Sequence, residues 1–317
     1  MSKTCPYCQE RCANSEDHIF SQFLGGKKTI PSCTNCNKKF GSTFEGKVSQ
    51  DLMPIIYQLV KQGYKHPSSL KADRIIIDKD GNEYNGDKEG NLFPVNPYKE
   101  DGKVKQKIFR NKKEAEKHIE VLSKRRGKDI PVNMSDEFVT IEQPQYRLVK
   151  VGTEIRQLTV KMCVALGQHF LPTVNIVDDK HRSFLLGESL GHDILKVYSR
   201  YSSAGLDKLR PVLAHVIFVE ANSERGLCHG LVQFFGGTLQ FYVPLNSNYI
   251  GKDFAVLATL DILDMKERFL SIEPLNLLAL PSVIAKEQAQ GIESEHLRFF
   301  ETQIKAFNDK MSLEVTL

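Results

Sequence analysis

Residues 15–20, SEDHIF, and residues 32–40, SCTNCNKKF, decide how this chain is read. An acidic pair runs straight into a histidine, and a cysteine pair follows a short distance on. Upstream, residues 5–8 read CPYC, so Cys5 with Cys8 and Cys33 with Cys36 form two C-x2-C pairs with 24 residues between them. One tight turn can offer two thiolates, and two such turns build a tetrahedral four-sulfur site for Zn2+. Four soft ligands leave no open coordination position, so such a metal is structural. Cys12 is the spare; it could replace Cys8, but Cys5 with Cys8 gives the symmetric arrangement, and Cys12 is expected as a small buried side chain. Cys163 and Cys228 fall on helix and strand patterns and are expected in the core.

The gap between the pairs is longer than the roughly 15–20 residues of a simple zinc knuckle. SEDHIF reads as a short strand, Gly25-Gly26 as a turn and KTIPS as the returning strand. Thr34 is placed to cap a helix opening NCNKKFGSTFE. In that order, Asp17 and His18 on the first strand face the first turn of the helix, where Asn37 sits beside Cys36. Adjacent strand residues point to opposite faces, so Asp17 and His18 share one site only if the strand is twisted or bulged there.

The combination C-x2-C, D-H-I-F, L-G-G, C-x2-C-N and a glycine four residues on resembles the zinc-stabilised branch of the HNH endonucleases, which have the ββα-metal fold. The matching residues are Cys5, Cys8, Asp17, His18, Leu24, Gly25, Gly26, Cys33, Cys36, Asn37 and Gly41, within about 45 residues of the chain. The resemblance implies a geometry in which Asp17 and His18 do share a site. Two departures stand out. GGKKTIPSC lacks the asparagine that commonly braces the turn behind the base, and the third signature position, often histidine, is Asn37.

The residue types suit that chemistry. Phosphodiester hydrolysis needs an activated water and neutralisation of charge on the phosphate and the leaving oxygen. A histidine with an ordinary pKa near 6.5 is largely neutral at pH 7, so His18 can act as general base. Asp17 offers a hard oxygen ligand and Asn37 a neutral one, as suits a single Mg2+ or Mn2+ that keeps several waters. Glu16 can supplement or replace Asp17. Lys38 and Lys39 are candidates for phosphate contacts.

The remaining residues give context. No apolar run approaches the ~20 residues that span a bilayer, and MSKTCPYCQERC has no apolar signal core. The expectation is a cytoplasmic protein with reduced thiols and no membrane partner. Net charge is +4, but residues 1–130 carry 25 Lys/Arg against 17 Asp/Glu, and residues 131–317 carry 18 against 22. A basic front is compatible with a polyanion, and equally with solvated lysines on exposed faces.

The fold expected is α+β: a small N-terminal zinc-bound module, then a larger mixed region with an antiparallel sheet. The segments are 1–66 (the module and a following helix in SQDLMPIIYQLVKQG, with Pro54 near its start and Gly63 as its stop), 67–130 and 131–317. Within 67–130, RIIIDKDGNEY, EGNLFPV and KVKQKIF read as strands. A helix follows over 111–128 with Asn111 as cap, its KRRGK end a second candidate for phosphate contact. In 131–317, TEIRQLTVKMCVALGQHFL reads as a helix. VLAHVIFVE, LCHGLVQFF and TLQFYVPL read as strands, the last two joined by a Gly236-Gly237 hairpin turn, and a polar helix is expected over 283–309. His215, His229 and Glu220 on these strands are expected as satisfied core or surface groups, with sheet packing or a homodimer as the role of the sheet.

The functional expectation is a metal-dependent endonuclease cleaving DNA, of the kind found in restriction and phage defence or in mobile elements. The rivals are a non-catalytic zinc-containing nucleic-acid-binding protein and an RNA-directed nuclease.

Overall fold

The computed structural model describes residues 4–61, 72–77, 82–86, 92–95, 98–100, 103–106, 112–128, 145–146, 152–189, 196–198, 214–237 and 239–274. The helix expected over 283–309, the stop at Gly63 and the cap at Asn111 lie outside these residues. The protein is mixed α+β with antiparallel sheets and an N-terminal group of four cysteines. No described helix is long and apolar enough to cross a membrane. The chain divides into two compact units, Met1–Ser49 with Val151–Leu317, and Gln50–Lys150. The three consecutive segments read from the sequence do not follow this division, because the first and last parts of the chain pack together.

In the first unit, β1 (Ser15–His18) and β2 (Thr29–Ser32) form an antiparallel pair, and α1 (Thr34–Phe40) follows. Between the strands a turn of 3-10 helix at Gln22–Leu24 ends on Gly25, whose φ of 100° lies in the left-handed region glycine tolerates. Gly26 is needed for another reason: a Cβ there would lie 1.8 Å from the Phe20 carbonyl oxygen. Cys33, not Thr34, caps α1, its Sγ accepting from the Cys36 N–H at 3.3 Å. A five-residue π-turn, Gly41–Glu45, then leads into α2 (Gly46–Lys61). This helix begins earlier than the sequence reading placed it, so Pro54 is internal. It removes one backbone donor there and tends to kink the helix.

The larger part of this unit is a six-stranded antiparallel sheet packed on α4 (Thr153–Phe170), with α5 (Asp179–Leu185) beside it. The sheet comprises β9 (Lys196–Tyr198), β10 (His215–Asn222), β11 (Leu227–Phe234), β12 (Leu239–Asn246), β13 (Phe254–Leu260) and β14 (Glu267–Ser271). Their spatial order is β14-β13-β10-β11-β12-β9. The β11–β12 turn runs through Phe235, Gly236 and Gly237, all at positive φ. Ile155 and every residue from Leu158 to Gly167 are buried. A helix enclosed on all sides belongs to the middle of a layered unit. Its approach to the sheet is set at Gly230, where a Cβ would meet Cys163 Sγ at 2.5 Å.

The second unit holds the rest of α2, with a four-stranded antiparallel sheet ordered β5-β4-β3-β8. These strands are β3 (Ala72–Ile77), β4 (Glu83–Gly86), β5 (Leu92–Pro94) and β8 (Gln145–Tyr146). A separate pair comprises β6 (Tyr98–Glu100) and β7 (Lys103–Gln106), and α3 spans Lys112–Arg126. Ala115 of α3 is buried, while Lys124, Arg125 and Arg126 in its last turn are exposed.

His215 and His229 are core residues, 0 % and 2 % exposed. His215 Nδ1 accepts from the Phe235 N–H at 3.4 Å, but among the described residues His215 Nε2 and both ring nitrogens of His229 have no hydrogen-bonding partner. His229 lies opposite Glu220 in the β10–β11 register, with Nε2 to Oε2 at 3.8 Å, and its ring packs near Tyr242. Burial lowers His215 to about 3 and His229 to about 4. The folded chain therefore refuses a proton that the unfolded chain accepts below about pH 6.5. Stability should fall as pH drops from 6.5 towards 4, by up to about 1.4 kcal/mol per pH unit for each histidine. Denaturant titrations of wild type and His229→Leu across this range should show the wild type losing ground to the variant.

Candidate functional site

The four cysteines converge. Cys5, Cys8, Cys33 and Cys36 are all buried, and their sulfurs lie within 4.8 Å of one another. Cys8 and Cys33 Sγ are 3.9 Å apart, close to the ~3.8 Å edge of a tetrahedron with Zn–S of about 2.3 Å. The set can hold a zinc ion. A hydrogen bond from Cys36 holds the Cys5 thiol down at about 4, and the same contact pushes Cys36 up. Close-packed thiols cannot all ionise without a cation among them. Cys12 is exposed, contrary to expectation, because it sits at the rim of the first turn in a backbone bridge to Thr4. Cys163 and Cys228 are buried as expected.

Local folding explains the clustering. The Gln9 N–H bonds the Cys5 carbonyl at 2.9 Å and the Cys5 N–H bonds the Arg11 carbonyl at 2.8 Å, closing the first turn. The second pair straddles the first turn of α1. The two meet because β1 and β2 pair in regular antiparallel register.

That regular register governs the other site residues. Asp17 pairs with Ile30 and His18 with Thr29, with no bulge between them. The alternation of a strand is kept, and the two side chains go to opposite faces. Asp17 is 3 % exposed. Its Oδ2 accepts from the Tyr7 hydroxyl at 2.7 Å, and its Oδ1 lies 2.8 Å from Lys161 Nζ. His18 is half-buried, and among the described residues its ring has no hydrogen-bonding partner. Glu16, on the His18 face, is exposed and accepts from the Thr29 hydroxyl at 2.8 Å. Asn37 braces the strand from α1, its Nδ2 donating to Ser15 Oγ at 3.1 Å and to the Glu16 carbonyl at 2.7 Å. An asparagine thus supports β1 from this position. Lys38 and Lys39 are exposed on α1. Lys39 also lines a cleft of about 400 Å³ with Cys8, Arg11, Asn35, Cys36 and Arg182. That cleft borders the thiol cluster rather than His18.

The residues that sequence reasoning missed come from far along the chain. Lys161 is fully buried in the middle of α4. Its ammonium donates to Glu45 Oε1 at 2.8 Å and to the His18 carbonyl at 2.9 Å, and it forms an ion pair with Asp17, Nζ to Oδ1 at 2.8 Å. Glu45 Oε1 also accepts from the Ser21 hydroxyl at 2.5 Å. Burial and the neighbouring Asp17 carboxylate push the Tyr7 phenol well above its ordinary range, so it stays neutral and donates. Arg182 of α5 reaches the first cysteine turn, donating to the Tyr7 carbonyl at 3.0 Å. The Glu267 carboxylate of β14 accepts from the Lys27 and Lys28 N–H groups at 3.1 and 2.9 Å. The available signal was a single charge, Lys161, inside the apolar run TVKMCVALG.

Removing one partner of a buried ion pair typically costs about 3–5 kcal/mol, because the other charge stays behind. Hydrogen bonds to charged groups contribute less. Tyr7→Phe should lower unfolding stability by about 1.5–3 kcal/mol, read by chemical denaturation. No change would mean that the Tyr7–Asp17 bond has little weight in the network.

Comparison with known proteins brings no relative to this site: no family model, no curated protein and no solved structure matches the chain.

Proposed function

We propose that the chain is a metal-dependent endonuclease of the HNH type that hydrolyses DNA phosphodiester bonds, with Zn2+ on Cys5, Cys8, Cys33 and Cys36 as a structural ion. The observation that carries the reading is a β-β-α unit bearing four close thiols, whose first strand presents His18 with a ring that has no hydrogen-bonding partner among the described residues. A second metal, Mg2+ or Mn2+, is the proposed catalytic ion, with Asp17 and Asn37 as its protein ligands. When bound, it supplies neutralisation of charge on the scissile phosphate and the departing oxygen.

The chain's own residues do the rest. His18 accepts a proton from the attacking water through whichever ring nitrogen faces it. Asn37 holds β1 and so fixes the backbone from which His18 projects. Lys38 and Lys39 carry positive charge to the phosphate backbone. The excess of Lys/Arg over Asp/Glu in residues 1–130 suits a polyanionic substrate such as duplex DNA. For Asp17 to serve the catalytic ion, it has to give up part of its contact with Lys161.

A second reading has an observation in its favour. Both Asp17 oxygens are engaged by buried donors, which suits a zinc-containing nucleic-acid-binding module without catalysis. That module would bind DNA in a salt-dependent way, indifferent to Mg2+ and to His18. An RNA-directed nuclease shares the same residues, and competition between duplex DNA and structured RNA separates it.

Zinc-loaded protein should cut supercoiled plasmid in Mg2+ or Mn2+ and stop on addition of EDTA. His18→Ala should cut at least about 100-fold more slowly, with zinc content and circular dichroism unchanged. Equal cutting by parent and variant removes His18 as the base. Retained DNA binding without cutting favours the binding module. Cys33→Ala should lose bound zinc and ordered structure together, since metal binding and folding are coupled in such units. Zinc content and melting of that variant test the structural ion separately from cleavage.

A further inference from the structure

Three oxygens converge on one cation in the interior of the first unit. Asp17 Oδ1, Glu45 Oε1 and the His18 carbonyl oxygen lie 2.8, 2.8 and 2.9 Å from Lys161 Nζ, a group with no exposure to solvent. Two carboxylates and a carbonyl are the hard donor set that divalent cations such as Mg2+, Mn2+ and Ca2+ take in proteins. The elements that bring them together are independent of one another. Asp17 and His18 come from β1, Glu45 from the end of the π-turn, and the cation from the middle of α4. Tyr7 and Ser21 hold the two carboxylates from outside the cage, at Asp17 Oδ2 and Glu45 Oε1.

The charge count is uneven. Asp17 and Glu45 bring two formal negative charges, Lys161 brings one positive charge, and Tyr7 stays neutral. A divalent ion in the same place would balance the pair. Glu45 is 17 % exposed at its side chain and forms the side of the cage nearest to solvent.

We propose that Asp17, Glu45 and the His18 carbonyl form a cation site that the chain fills with its own Lys161 ammonium, so that Lys161 and a divalent ion compete for Asp17. The site does not depend on the endonuclease reading, although that reading needs an ion at Asp17 and so inherits the competition. Glu45 becomes a metal ligand whenever Lys161 is absent. In the wild type the ammonium holds β1, the π-turn and α4 together without a metal.

The test is Mn2+ binding by full-length, zinc-loaded protein, followed by electron paramagnetic resonance of free Mn2+ and by thermal melting. Lys161→Ala opens space for an ion and its waters, while Lys161→Met keeps the bulk and supplies no charge. Lys161→Ala is expected to bind one Mn2+ at least tenfold more tightly than the wild type. Its melting temperature should fall without Mn2+ and recover with it. Adding Glu45→Gln should abolish both effects, and Lys161→Met should be destabilised with no recovery.

The proposal is overturned if Lys161→Ala binds Mn2+ no better than the wild type, or stays unfolded in millimolar Mn2+. None of these readings uses cleavage, so a wild type that fails to cut DNA rejects the nuclease and leaves the cation site standing.

Discussion

One buried ammonium governs the first unit. Lys161 cannot leave its three oxygen partners without stranding the buried Asp17 carboxylate and losing its pairing with the part-buried Glu45. Desolvating a charge is expensive, and the charge is tolerated only where its hydrogen-bonding capacity is filled. The α4 helix, β1 and the π-turn before α2 are therefore placed by a single polar constraint, around which apolar packing is arranged. Phe40, Phe44, Ile19 and Phe20, all fully or almost fully buried, supply the apolar side of the same region.

The N-terminal β-β-α unit needs such support. Two four-residue strands and a seven-residue helix bury too little surface to hold themselves together. Four close thiols that can hold a zinc ion sit at one end, and three charged residues from the distal part of the chain clamp the rest: Lys161 at β1, Arg182 at the first cysteine turn and Glu267 at the Lys27–Lys28 backbone. Each charged group ends on backbone carbonyls, backbone N–H groups or an opposite charge. The module is thus built into the first unit rather than hung on it, and what happens at α4 bears directly on β1.

The hairpin divides its polar residues between two faces, and that division shapes the chemistry open to it. Asp17 faces inward with Tyr7 and Lys161, while Glu16, His18 and Thr29 share the outer face. With a histidine on one side and a sealed carboxylate on the other, the proposed nuclease chemistry requires Asp17 to be released from its buried partners. The same division fits a module whose acid is purely structural. The choice turns on whether Asp17 can exchange its partner Lys161.

Much of this was legible in the residue order. The two C-x2-C spacings specified a thiol cluster, because sulfur–metal geometry is local and each pair needs only one turn. The Gly25-Gly26 and Gly236-Gly237 turns and the α4 helix were also visible, because turn chemistry and hydrophobic periodicity act over a few residues. The partners of Asp17 were not, because Lys161 lies 144 positions along the chain, and nothing in a linear sequence says which buried charges will meet. Nor could the sequence tell that the first and last parts share one unit, since segment boundaries are read consecutively while packing is not. Which face of β1 each side chain takes was decided by the regular pairing with β2. Only tertiary structure decides that an aspartate beside a histidine is closed off by a lysine, because an ion pair forms where desolvated charges are brought together in space, whatever their distance in sequence.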